Sequence, residues 1–275
     1  MKMAKMVLSG AALLGSISGA ASGAPARSPF DPPQETRREK LAPDPQNPET
    51  ERLATCFDYP AFTIKQVDLG EVGAASMSVA PSAPGERPPC AEKIQPDEYV
   101  IPGGEWTGYF AGVKGDYAFF NAGDGVNGGL GFMALRISSR KKLFDDVADG
   151  GLRSVTEKDG GVVLRYRRSF TGSCSVLTGG PACGERLARE TGVASIPAPM
   201  CVEGYKSAKL AMAKGRCDAQ PARDEGCVAR ELKTLDDQKW DEAPSVFVYE
   251  AEAVLGEAAP QIKPLGPALA CRPSN

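Results

Sequence analysis

The chain contains no histidine. Without an imidazole, Ser-His-Asp triads, Cys–His pairs, histidine metal sites and histidine pH switches are all excluded. Neither a Gly-x-Ser-x-Gly elbow nor a P-loop is present. No two cysteines stand in a Cys-x-x-Cys spacing, so a thioredoxin-type redox pair and a zinc ribbon are not indicated. The formal net charge is −3, with no long block of like charge. A mildly acidic chain of this kind gives no support for nucleic-acid or anionic-membrane binding. These absences leave an expectation of no catalytic set, no metal and no cofactor.

Export signals stand at the front of the chain. Lys2 and Lys5 form a basic start, residues 6–17 are rich in Ala, Leu and Gly, and residues 19–26 offer small residues for cleavage. Residues 1–24 therefore read as a signal peptide, too short and too rich in Gly and Ser to span a bilayer. No other run is long and apolar enough to do so, and the mature form is expected to be soluble and not inserted in a membrane. Residues 25–51 are proline-rich and charged with few large apolar side chains, the composition of a disordered or extended leader with no core to join.

The cysteines number eight, at Cys56, Cys90, Cys174, Cys183, Cys201, Cys217, Cys227 and Cys271. In an exported chain an even count reads as disulfides, which places the protein in the periplasm or outside the cell. A Cys56–Cys90 bridge would tie a proline-containing segment to the flank of the domain. Cys174–Cys183 is the expected neighbour pair, because closing a short loop is least demanding and Pro181 bends the chain back. Spacing leaves the other four cysteines open.

From residue 98 to 170, apolar runs alternate with turns rich in Gly, Asp, Asn and Ser, the pattern of an all-β meander. Strands are expected over 98–101, 106–113, 116–121, 131–137, 142–144, 152–156 and 162–170. Weaker strands fall at 62–67 and 77–79, a clear one at 245–255 and a closing one at 268–272. Tyr117 and Phe119 share one face of their strand and Ala118 and Phe120 the other, so both faces should be covered. Residues 171–242 concentrate cysteines among helix signals and read as an insertion with short helices at 184–191 and 202–214, the latter contacting through Tyr205, Ala208, Leu210 and Met212. The fold class is thus mainly β, an antiparallel meander forming a sandwich or barrel-like sheet, with a single β-rich domain over 52–275.

Gly131-Phe-Met-Ala-Leu-Arg-Ile-Ser-Ser-Arg-Lys-Lys-Leu-Phe144 resembles the strand–turn–strand unit of quinoprotein-type β-propeller repeats. A single copy, with Ser and Arg where those repeats favour Asp and Thr-Gly, implies a hairpin and not a quinone cofactor.

Carboxylate chemistry survives the loss of histidine, since two acidic side chains suffice for glycoside hydrolysis. Glu105 beside Trp106, together with Asp145, is the candidate carbohydrate-binding set. Asp145–Asp146 and Asp236–Asp237 otherwise read as solvated turn residues, and the Asn121–Gly129 segment as a hairpin loop rather than a calcium site. Arg165 and Arg167 read as a solvated face with a local acid. The preferred function is a non-enzymatic binding or structural role toward a protein or glycan partner. The rivals are a carboxylate-based carbohydrate-active or lectin-like module, and a secreted inhibitor presenting a disulfide-braced loop from the insertion.

Overall fold

The computed structural model describes residues 28–83, 85–101, 108–219 and 226–274. The expected signal peptide lies outside the described residues. Five strands, β1 (Glu35–Lys40), β2 (Leu53–Asp58), β3 (Phe62–Asp68), β4 (Ser76–Pro81) and β5 (Tyr99–Val100), form an antiparallel sheet in sequence order. A second antiparallel sheet contains β6 (Gly108–Lys114), β7 (Tyr117–Val126), β8 (Gly129–Arg136), β9 (Lys141–Lys158) and β10 (Gly161–Thr171) as a meander. It continues through β11 (Ser245–Leu255) and β12 (Gln261–Pro264), while β13 (Ala270–Pro273) pairs with the first residues of β11. Helices α1 (Val176–Thr191), α2 (Ala198–Asp218) and α3 (Cys227–Asp237) lie between β10 and β11.

The arrangement is a sandwich rather than a closed barrel. Ile64, Met77 and Val79 of the smaller sheet pack with Phe120, Met133 and Leu135 of the larger. On the opposite face of the larger sheet, Phe119, Phe132 and Tyr166 share a core with Leu187 of α1 and Cys201 and Tyr205 of α2. β7 therefore contributes alternate residues to two cores, Tyr117 and Phe119 to one and Ala118 and Phe120 to the other, as its sequence requires. The β6 edge is stitched to the smaller sheet. Gly108 O accepts from Ala74 N at 2.8 Å, the Gln66 side chain accepts from Phe110 N at 2.9 Å, and Asp31 bridges to Val113.

Several expectations are corrected. The supposed leader is ordered from residue 28: β1 pairs with β2 over its whole length, and Phe30 lies 5.4 Å from Phe119 between ring centroids. An edge strand needs little apolar surface, and its charges deter further pairing, so composition hides it. The strands expected at 142–144 and 152–156 are one strand, β9. Its first half pairs with β8 and its second with β10. Asp149–Gly151 is extruded as a bulge, with Gly150 and Gly151 at φ 83° and 82°. The long loop expected at 122–129 shrinks to the two-residue turn Asn127-Gly128, at φ 49° and 72°, which suits a tight hairpin. The hairpin over 131–144 is present as β8 and β9.

Both helices begin earlier than expected. α1 starts at Val176 under the Ser175 cap, breaks at Gly180 and resumes at Pro181, ending at left-handed Gly192 whose N–H donates to Ala188 O. Leu210, expected to be a contact residue of α2, is 40 % exposed, and Cys201, Tyr205 and Ala213 form the buried side.

All eight cysteines are paired, as Cys56–Cys90, Cys174–Cys183, Cys201–Cys271 and Cys217–Cys227. The first holds the β4–β5 connection against the outer face of the smaller sheet. Beside it the buried Lys65 Nζ donates to Glu98 at 2.8 Å and Ser78 Oγ donates to the other Glu98 oxygen at 2.7 Å. Cys201–Cys271 fastens α2 to β13. Four disulfides indicate an oxidising, extracytosolic environment. Among the described residues no helix is long and apolar enough to cross a membrane.

Candidate functional site

The turn at 115–116 adjoins the turn at 137–140 on one side and the turn at 159–160 on another, and 159–160 adjoins the residues after β11. Three depressions adjoin there. The first, a groove of about 590 Å³, crosses the outer face of β9, β10 and β11. Strand alternation sets its lining: Ser154 pairs across to Arg165 and on to Glu252, and Thr156 pairs across to Val163 and on to Val254. Lys158, Asp159 and Glu257 close the turn end. A second depression of about 390 Å³ shares Lys158, Asp159 and Gly160 with the groove and adds Asp116 and Glu157. The third, of about 500 Å³, opens between the two sheets and shares Gly115 and Asp116 with the second.

The groove exists because the smaller sheet covers only the β6–β8 half of the larger one. The uncovered half carries charges in register. Arg165 Nε donates to Glu252 at 3.0 Å, Arg153 Nη1 donates to Glu250 at 2.5 Å, and Arg167 sits 3.5 Å from Glu250 and 3.9 Å from Asp149. The arginine pair is thus a solvated face with local acids, as the sequence indicates. At the rim Arg136 donates to Glu257 and to the Tyr117 hydroxyl, both at 2.8 Å, and Tyr117 donates to Gly160 O at 3.2 Å. The hydrogen bonds to Tyr117 and Glu257 hold the Arg136 guanidinium above its ordinary range. Two of the groove's acids, Glu252 and Glu257, are each held by an arginine, which suits recognition better than proton transfer.

Of the three residues expected to carry carbohydrate chemistry, only Asp145 lies among the described residues. Glu105 and Trp106 lie outside the described residues. Asp145 is exposed and pairs with Lys142 at 3.0 Å. Asp146 is not the solvated turn residue expected but a buried group in β9. It accepts from the Tyr166 hydroxyl at 2.5 Å and pairs with Arg168 at 2.8 Å, while Arg168 donates to the Tyr249 hydroxyl at 2.9 Å. Burial, and then the Asp146 charge, push the Tyr166 phenol far up, and burial raises that of Tyr249 against the pull of Arg168. These four side chains satisfy one another inside the sheet–helix core and form a structural network.

Asp236 pairs with Lys209 of α2. Gly123, Gly125 and Gly128 have the spacing of a dinucleotide-binding loop, but the chain passes there into β8 and not into a helix whose N-terminus could hold phosphate. Among the described residues no group of three or more Cys, Asp or Glu is placed to hold a metal ion. Comparison with protein-family models, curated proteins and solved structures finds no match.

Sequence reasoning missed Ser154, Thr156, Lys158 and Glu252 as neighbours. The alternation of β10 and β11 was visible, yet nothing in it told which outer face a second sheet would leave bare.

Proposed function

We propose that this protein is an exported, disulfide-bonded binding protein with a non-enzymatic role in the cell envelope or outside the cell, acting through the groove across β9–β11. The observation that supports the reading most is the uncovered half of the larger sheet, where a groove of about 590 Å³ is lined by Ser154, Thr156, Lys158, Arg165 and Glu252, with Arg165 and Glu252 paired to each other. Polar, pre-formed surfaces of this kind suit a protein or glycan partner. The export features of residues 1–24 and the four disulfides support the compartment.

A photo-crosslinking residue at Thr156 in the full chain, expressed in its native compartment, tests the reading against the same residue at exposed Lys206 on α2. A discrete adduct at Thr156 and none at Lys206 is expected. Equal labelling at both positions, or none at either, would remove the groove as the working surface. The inhibitor reading draws on one observation, since Cys217–Cys227 closes the connection between α2 and α3. Of the carbohydrate-active set Glu105, Trp106 and Asp145, only Asp145 is among the described residues, where it forms a surface pair with Lys142.

A further inference from the structure

The depression between the sheets differs in character from the groove. Its walls are Phe62, Val79, Pro81 and Ile137, where the inter-sheet core opens to solvent between β3–β4 and the β8–β9 turn. Polar side chains stand only at its rim, namely Asp116, Ser138 and Arg140. Asp116 is engaged: Ser138 N donates to one carboxylate oxygen at 2.9 Å and Ser138 Oγ to the other at 2.5 Å. Arg140 is not. Its guanidinium lies over the Tyr99 ring at 5.7 Å from the centroid, and no described acid pairs with it. The turn holds Arg140 at φ 55°, in the left-handed region, with its N–H donating to Ile137 O at 3.2 Å.

An apolar cleft with an uncompensated guanidinium at its mouth selects a ligand with an apolar body and an anionic head. We infer that this cleft binds a single-chain amphiphilic carboxylate of the fatty-acid type, the alkyl chain lying against Phe62, Val79 and Ile137 and the carboxylate meeting Arg140. The size of about 500 Å³ falls in the range of small-molecule sites. A peptide fits less well, because its amides would face walls that offer no side-chain hydrogen-bonding group. The planar guanidinium, stacked on Tyr99, keeps its N–H edge available for a two-point contact with a carboxylate. The site is separate from the β9–β11 groove, and neither reading depends on the other.

The test is calorimetric titration of the oxidised, full-length protein with decanoate below its micellar concentration, alongside decyltrimethylammonium and decanol. Decanoate is expected to bind at one site per chain and more tightly than decanol. Arg140→Gln, an exposed turn substitution, should weaken decanoate at least about tenfold, the scale of one charge-assisted hydrogen bond, while leaving decanol unchanged. Ile137→Asp should weaken all chains that bind, and a thermal melt verifies that each variant is folded. The inference fails if decanoate does not bind, if Arg140→Gln binds it as well as the parent does, or if decyltrimethylammonium binds more tightly. The last outcome would assign the rim to Asp116.

Discussion

Asp146 holds the Tyr166 hydroxyl and the Arg168 guanidinium with its own side chain 8 % exposed, whereas its neighbour Asp145 points to solvent and pairs with Lys142. Asp146→Ala leaves Arg168 with a buried, uncompensated charge and should cost about 3–5 kcal/mol by denaturant titration. Asp145→Ala should stay within about 0.5 kcal/mol. A pH effect follows from Asp58. Burial pushes its carboxyl up, but hydrogen bonds from Arg37 and Thr63 and the Arg37 charge outweigh that and hold it below the ordinary range. A depressed folded pKa gives stability that is fully present above the unfolded value of about 4 and is lost as pH falls through the folded one. Asp58→Asn should therefore flatten the acid limb when denaturant midpoints are followed downward from about pH 6. Tyr59 acts at the other end. Burial, and then the Asp31 charge, push its phenol up to about 12, and its hydroxyl has no hydrogen-bond partner among the described residues. Its contribution is fully present below the unfolded value of about 10 and is lost as pH rises through about 12. Tyr59→Phe should remove that alkaline loss and raise stability at neutral pH by about 1 kcal/mol.

At the level of elements, β9 and the disulfides make contrasting demands on the chain. A β-carbon built on Gly150 or Gly151 would meet nothing within 4 Å, so only the positive φ opposes a larger residue there. Gly150→Ala should cost about 1–2 kcal/mol through the backbone alone, and Asn, which tolerates that region, should recover part of it in the same equilibrium measurement. Cys201–Cys271 spans 70 residues and joins α2 to β13, while Cys217–Cys227 spans 10 within the helical region. Chain-entropy estimates make the loss of the longer closure about 4 kcal/mol and that of the shorter about 3 kcal/mol. Replacing each pair by alanine and comparing unfolding midpoints measures the order directly. If the short bridge proved the costlier, the α2–β13 junction would be held by packing and not by its crosslink.

For the whole molecule, the sheet and the helical insertion share one core. Tyr205 of α2 is 1 % exposed and donates from its hydroxyl to Ala243 O at 2.6 Å, in the same core as Phe119 and Phe132. Because β7 feeds the helix-side core through Phe119 and the inter-sheet core through Phe120, losing either should destabilise the whole. Phe119→Ala, Phe120→Ala and Tyr205→Ala should each cost about 3–5 kcal/mol. Far-UV circular dichroism and intrinsic fluorescence should report the same midpoint in every variant. Separate midpoints in Phe120→Ala would show that the smaller sheet unfolds on its own.

Strand alternation in β7, β10 and β11 is a property of the backbone, so the faces of Tyr117, Phe120, Arg165 and Glu252 were legible before any partner was known. The same holds for the Cys174–Cys183 pair, where a short loop leaves little choice, and for the absence of histidine chemistry, which follows from composition alone. Tertiary structure decided the rest. β1 is charged on both faces and becomes a strand only because β2 offers an unpaired edge. Gly150-Gly151 reads as a turn between two strands, and only the pairing of β9 with β8 before it and with β10 after it makes it a bulge. Whether Asp146 or Asp145 was buried depended on which face the helices covered. The groove on β9–β11 and the cleft under Arg140 are set by where the smaller sheet ends, a packing outcome among residues distant in sequence that no local pattern encodes.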